Sequence, residues 1–295
     1  MVFAAVDIGS NAIRLLFCRV YELEGKPHFH KEELIRMPIR LGEDVFLKGK
    51  ISPQKEERLI TSLKGFNELI KAYQVDGVRA VATSAMRDAS NGQEIITRAK
   101  QESGLNVEII DGKLEAALVF SNHIEQILNP KYAYLYIDVG GGSTELTLYF
   151  NQKVIAAKSF NIGTVRMLLD KVNKEEWEEM KAWLKRSTVG IHPLYAIGSG
   201  GNINKMFKMV NKKETKHLNY DKLKDLYDML NSYTYEERVE RLGLKPDRAD
   251  VIIPAAKIFL TVMKTADIEK VFVPQIGLSD GIVHDMYDNF KKKNK

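Results

Sequence analysis

Ile137-Asp138-Val139-Gly140-Gly141-Gly142-Ser143-Thr144-Glu145-Leu146 is the stretch on which the reading of this chain turns. An apolar run over 133–138 reads as a strand that ends in Asp138, a glycine turn follows, and residues 145–150 read as a second strand. The same grammar stands near the start. Residues 3–7 are apolar, Asp7-Ile8-Gly9-Ser10-Asn11 makes the break, and 13–20 is again β-rich. Glycines let backbone approach an anion closely, and consecutive N–H groups form a nest for phosphate oxygens. The Asp is left at the lip, where a hydrated Mg²⁺ can bridge it to phosphate. For either loop alone, a hairpin in which Asp and Gly merely satisfy the turn reads equally well. Two such loops at matching places favour a shared anion.

Working outward, the first half reads as strands over 3–7, 13–20 and 28–37. A helix starts at Ser52-Pro53, with Ser as N-cap and Pro at the first helical position. Its apolar face is Leu59, Leu63, Phe66, Ile70 and Tyr73. A strand over 78–83, a helix over 91–103 closed by Gly104, a strand over 107–110 and a helix over 113–128 follow. The second half repeats this order. Strands cover 133–138, 145–150 and 154–160, the last two joined by a turn at 151–153, then a helix covers 174–185 and a strand 194–197. Helices follow around 203–210, 222–233 and 248–264, with a last strand at 270–273 and a last helix at 279–290. The order β-β-β-α-β-α-β-α, met twice, implies two mixed sheets flanked by helices. The expected boundaries are 1–122, completed by the C-terminal helix 279–295, and 123–278, joined near 122–132 with a cleft between the halves.

Composition bounds the rest. In 295 residues, 44% hydrophobic and 28% charged is a globular balance. The net charge of +5 includes the terminal run Lys291, Lys292, Lys293 and Lys295, which reads as a solvated tail. No basic stripe interleaved with aromatics points to DNA or RNA. Cys18 is the single cysteine, which excludes an intramolecular disulfide and fits a reducing, cytoplasmic compartment. Met1–Val6 has no basic region or cleavage site, so no signal peptide is expected, and no run is long enough to span a bilayer. A homodimer through helices of the second half is compatible with the sequence but not demanded by it.

Further candidates surround the loops. Gly198-Ser199-Gly200-Gly201-Asn202 follows a strand and opens a helix, placing Gly200 and Gly201 where helix N–H groups bind anions. Glu145 starts a strand beside the glycine triplet, where it would repel phosphate unless a metal lay between or unless it oriented water. Glu115 falls in the first turn of a helix. If Gly112 is the N-cap, Glu115 takes the third helical position, which favours Glu on structural grounds alone. Arg87, in the hydroxyl-rich stretch 82–91, is placed to clamp phosphate or to sit on a surface loop, and Arg14 and Arg166 are similar.

Taken together, these segments resemble the Ppx/GppA phosphatase family of the actin/Hsp70/sugar-kinase superfamily, over nearly the whole chain. The resemblance rests on 3–11, Arg40-Leu41-Gly42, 82–87 with Asn91, 137–146, Gly163-Thr164-Val165-Arg166, 198–202 and 248–256. It implies two actin-like (ribonuclease H-like) domains, each a mixed five-stranded sheet with flanking helices. It also implies Mg²⁺-dependent hydrolysis of a terminal phosphoanhydride in polyphosphate or a guanosine pentaphosphate. Glu115 and Glu145 are the implied catalytic carboxylates. Gly9, Ser10, Asn11, Arg14, Arg87, Gly140, Gly141, Gly142, Ser143, Thr144, Gly200 and Gly201 would bind phosphate, and Asp7, Asp138 and Glu145 would hold the metal. The family's Gly-x-Glu-Glu-Ala-Arg reads here Gly112-Lys113-Leu114-Glu115-Ala116-Ala117, so Leu114 and Ala117 depart from it and altered substrate preference or reduced activity is an expectation. The C-terminal extension of longer members has no counterpart here, which favours terminal phosphate hydrolysis over binding of long chains. A small-molecule kinase on the same scaffold predicts transfer from ATP. A non-catalytic polyphosphate or nucleotide sensor predicts binding without turnover.

Overall fold

A computed structural model of the protein describes residues 1–122, 129, 131–151, 153–210 and 217–293. Residues 123–128 of the helix expected over 113–128, much of the expected junction, Gln152 of the expected turn and Lys295 of the basic run lie outside them. The chain divides into two compact units, Met1–Asn122 with Leu278–Lys295, and His123–Gly277.

The first unit opens with β1 (Val2–Ile8), buried along its whole length, as a central strand covered on both faces must be. β2 (Ile13–Leu23) and β3 (Lys26–Met37) form a longer antiparallel hairpin than expected, turning at Glu24-Gly25, where both residues have positive φ. α1 (Leu41–Lys48) follows, then α2 (Pro53–Tyr73), which starts where Ser52 accepts the Lys55 N–H and buries Leu59, Leu63, Phe66 and Ile70. β4 (Gly77–Ala82), α3 (Ser84–Asp88), α4 (Gly92–Ser103), β5 (Val107–Ile109) and α5 (Gly112–Phe120) complete this stretch. The sheet runs β3-β2-β1-β4-β5, with the first three strands antiparallel and β1, β4 and β5 parallel.

The second unit contains β6 (Ala133–Val139), β7 (Thr144–Phe150), β8 (Lys153–Phe160), α6 (Thr164–Leu168), α7 (Lys174–Thr188), β9 (Leu194–Ser199) and α8 (Gly201–Val210). β10 (His217–Asn219), α9 (Tyr220–Asn231), α10 (Tyr235–Glu240), α11 (Pro246–Ala249), α12 (Ile252–Thr265) and β11 (Lys270–Phe272) follow. Its sheet runs β10-β11-β9-β6-β7-β8. Within it, β8-β7-β6-β9-β11 repeats the order and strand directions of the first unit. The expectation of five strands is corrected by the edge strand β10, whose three residues are too few for an alternating pattern to show. The single helix expected over 248–264 is also corrected. Pro254 lacks the N–H that a helix interior needs and is tolerated only in a first turn, so α12 starts just ahead of it and α11 stands apart.

α13 (Leu278–Lys293) returns to the first unit. Its Leu278, Ile282, Val283 and Tyr287 pack with Phe3, Ala5, Leu16, Cys18, Val20, Val81, Ile110, Leu118 and Val119. The core of the second unit gathers the inward residues of β6, β7 and β9 under α12, with Phe259, Val262 and Met263 fully buried. Among the described residues no helix is long and apolar enough to cross a membrane.

Candidate active site

Each unit ends its first strand in the same turn. In the first, the Gly9 N–H donates to the Ala12 carbonyl at 3.1 Å, and in the second the Gly140 N–H donates to the Ser143 carbonyl at 2.9 Å. A short helix then docks its first N–H groups on each loop. Gly42 of α1 donates to the Ser10 carbonyl at 2.8 Å, and Arg40 to the Asn11 carbonyl at 3.0 Å. Thr164 of α6 donates to the Gly140 carbonyl at 3.0 Å and Val165 to the Gly141 carbonyl at 2.8 Å. These docking contacts give Arg40-Leu41-Gly42 and Gly163-Thr164-Val165-Arg166 one job. The backbone approach is so close that a Cβ on Gly163 would fall 2.3 Å from the Gly142 carbonyl carbon. Arg166 folds back as well, its Nε donating to the Gly142 carbonyl at 2.6 Å, so it buttresses the loop.

The hydroxyls near the loops are partly committed. Thr144 is fully buried and donates to the Ile162 carbonyl at 2.5 Å. Ser10 and Ser84 share a hydrogen bond of 2.8 Å that ties the first loop to α3. Ser143 is buried beside Thr144.

The side chains at the strand ends separate the units chemically. Asp7 on β1 stands opposite Arg14 on β2, which stands opposite Arg36 on β3, and on the other side Asp7 is level with Val81 of β4. Arg14 Nη1 donates to Asp7 Oδ2 at 2.5 Å, so this carboxylate carries its own counter-ion. In the second unit the matching row is Ser199 on β9, Asp138 on β6, Glu145 on β7 and Ser159 on β8. Two carboxylates thus face one another on neighbouring strands, and Glu145 is only 3% exposed. Like charges directly opposite are unfavourable without a cation. The all-oxygen donors of two carboxylates are of the kind that could hold a divalent metal ion.

Glu115 lies in the first turn of α5 and is buried to 7% exposure. The N-cap is Asp111, whose Oδ1 accepts the Leu114 N–H at 2.7 Å, and not Gly112 as expected. Glu115 is therefore the fourth helical residue, one beyond the position where Glu closes a capping box, so capping does not account for it. Arg87 of α3 reaches the same turn, its Nη1 donating to the Ile110 carbonyl at 2.7 Å. Asn91 holds the Ile51 backbone through both its N–H and its carbonyl, a structural role. Leu114 packs against the cluster under α13, and Ala117 is exposed.

Gly198-Ser199-Gly200-Gly201 closes β9 and opens α8. Gly198 is a packing glycine, since a Cβ there would lie 3.0–3.1 Å from Ile203, Phe259 and Val271. Gly200 has φ +100°, and a Cβ on it would sit 3.3 Å from Asp138 Oδ1. Ser159 and Ser199 escaped the sequence reading as site residues. Only the strand register, which levels them with Glu145 and Asp138, reveals them.

Fold and strand-end chemistry define a duplicated α/β protein that presents charged side chains and glycine loops at the carboxyl ends of its central strands. The model of the family described as the Ppx/GppA phosphatase family matches residues 33–290, and the chain belongs to that family. A bifunctional 3-dehydroquinate synthase/phosphatase of Fusobacterium nucleatum is 29% identical over 283 residues, 88% of this chain and 43% of the relative. Exopolyphosphatase 2 of Mycobacterium tuberculosis is 32% identical over 169 residues, 56% of this chain and 53% of the relative. The chain thus spans about half the length of the curated relatives it matches. An exopolyphosphatase from Cytophaga hutchinsonii superposes with a TM-score of 0.82 at 25% identity, over 98% of both chains. The Aquifex aeolicus PPX-GPPA enzyme does so at 0.76 and 28%, over 97% of this chain and 99% of that one.

Proposed function

We propose that this protein hydrolyses the terminal phosphoanhydride of inorganic polyphosphate or of a guanosine pentaphosphate, with Mg²⁺, in the cytoplasm. The observation that carries the reading is the repeated turn, in which each unit ends its central strand in a carboxylate and a docked glycine loop. Family membership and the relatives named exopolyphosphatase support the reaction class. The loops 9–11 and 140–144 serve the phosphate oxygens, together with Gly200 and Gly201, through backbone N–H groups other than those of Gly9, Gly140 and Gly200, which bond within the protein. Asp138 and Glu145 would hold the cation together with Asp7, whose carboxylate is also paired with Arg14. Bound there, Mg²⁺ supplies neutralisation of the charge growing on the leaving oxygen. Arg87, braced on the Ile110 carbonyl, steadies the phosphoryl group, and Glu115 takes a proton from the attacking water.

Phosphate release from short polyphosphate, guanosine pentaphosphate and ATP, each with and without Mg²⁺, tests the reading. Mg²⁺-dependent release from one of the first two is the expected result. Tight binding with no release would replace it with the sensor reading, and release from ATP only when an acceptor is present would replace it with a kinase.

A further inference from the structure

We propose that Ser159 and Ser199 are positioning residues that fix the Glu145 and Asp138 carboxylates for a single divalent cation, an inference that rests on the metal role proposed for that pair. Ser159 Oγ donates to Glu145 Oε1 at 2.7 Å, and Ser199 Oγ donates to Asp138 Oδ1 at 2.6 Å. The four residues form one row across β9, β6, β7 and β8, each level with its neighbour in strand register. The serines occupy the two outer places. Each offsets negative charge from the side away from the other carboxylate, so neither donor stands where a shared cation would.

The physical need is specific. A carboxylate at the end of a strand turns about two side-chain bonds in Asp and three in Glu, and two like charges drive each other to turn apart. A donor fixed on a neighbouring strand selects one orientation of each. A hydroxyl carries one proton, and a carboxylate offers about four lone-pair sites, so one donor orients the group without exhausting it. Groups that orient ligands in this way are typically worth about 10–100-fold in metal affinity or activity.

The first unit supplies an internal comparison. Its matching row reads Val81, Asp7, Arg14 and Arg36, with no hydroxyl at either end. There the single carboxylate is held by the arginine opposite it. Serines flank the row only in the unit whose row is a pair of carboxylates. The glycine turn and the docking helix are common to both units, so the serines belong to the carboxylate pair and not to the turn.

The test uses the intact protein and Mn²⁺ as a paramagnetic probe, titrated without substrate and followed by electron spin resonance. Ser159→Ala and Ser199→Ala are expected to weaken Mn²⁺ binding by about 10–100-fold. In parallel, the Mg²⁺ concentration for half-maximal phosphate release rises by a similar factor, while turnover at saturating Mg²⁺ returns toward the unmodified value. Ser159→Thr keeps the hydroxyl and restores binding to within a few-fold. A purely structural role would lower the melting temperature and would be rescued by neither Mg²⁺ nor threonine. Unchanged Mn²⁺ affinity in both alanine variants, with the unmodified protein binding well, overturns the inference alone. Unmodified protein that binds Mn²⁺ no better than Glu145→Gln overturns both the inference and the metal reading beneath it.

Discussion

Glu115 is a carboxylate with 7% of its surface exposed, in a helix whose N-cap is already supplied by Asp111. Burying a carboxylate is costly, and the positive end of the helix offsets only part of that cost. The role proposed for Glu115 is that of the base. Glu115→Gln preserves shape and removes the base, so turnover should fall by about 10²–10⁴-fold while a non-hydrolysable polyphosphate analogue still binds. Phosphate release and calorimetric binding, measured side by side, check this. Equal loss in both would make Glu115 a binding residue. Asp111→Ala should instead cost about 1 kcal/mol of stability through the lost cap. A second buried group gives a different reading. Burial, and then Asp280 nearby, pushes the Cys18 thiol up to about 12. At pH 8 roughly 10⁻⁴ of it is thiolate, so a disulfide reagent should leave the native protein unlabelled and react fully once it is unfolded. The sign follows from the raised value. The folded state prefers the protonated thiol, so this contribution to stability holds below about pH 9 and is lost as pH rises toward 12.

Elements are placed by contacts that sequence periodicity does not register. The long strands, α2 with its apolar face, and α4 closed by Gly104 were legible because repeating burial and capping residues mark them. α1 and α6 were not, being short helices whose first N–H groups bond to the glycine loops rather than to local caps. Glycine near a helix start reads as a breaker, yet here Gly42 and Gly163 are what let the helix reach the loop. The start of α5 was misplaced by one residue because Asp and Gly are both residue types favoured as N-caps, and only the hydrogen bond from Leu114 to Asp111 chooses between them. Of the candidate site, the two loops and their acids could be read from the repeat, whereas the serines became visible only through strand register. Gly163→Ala should therefore damage the loop more than the fold. A Cβ there would fall 2.3–2.5 Å from backbone atoms of Gly141 and Gly142, which cannot yield as a flexible side chain would. The expected result is a fall in kcat/KM of at least about 100-fold with far-UV dichroism unchanged, on the scale of a misplacement near 1 Å. Full activity in that variant would show that the docked geometry is dispensable.

At the scale of the molecule, the last helix in the chain packs against α5, the helix that carries Glu115. The first unit is discontinuous, since α13 returns from residue 278 to cover β1, β2 and α5. Four of its side chains, Leu278, Ile282, Val283 and Tyr287, are buried there. At about 1.5–3 kcal/mol each they contribute roughly 6–12 kcal/mol, comparable with the whole stability of a domain. Polar ties hold its flanks, with Asp280 on Lys31 at 2.6 Å and Asp285 on Arg79 at 2.7 Å. Where α13 crosses α5, Gly281 lies against the backbone so closely that a Cβ would come within 1.7 Å of the Leu118 carbonyl oxygen. Leu118 is three residues beyond Glu115 on the same helix. Gly281→Ala must push the two helices apart by more than 1 Å to restore ordinary contact. Two consequences should appear together. Turnover should drop by about 10²-fold or more as Glu115 moves, and Cys18, buried in the cluster that α13 covers, should become reactive in folded protein. Hydrogen exchange should rise in residues 1–122 and stay unchanged in 131–210. If Gly281→Ala kept Cys18 protected and turnover intact, α13 would be a cover over the sheet and nothing more, and the placement of Glu115 would have to come from the β5–α5 turn alone.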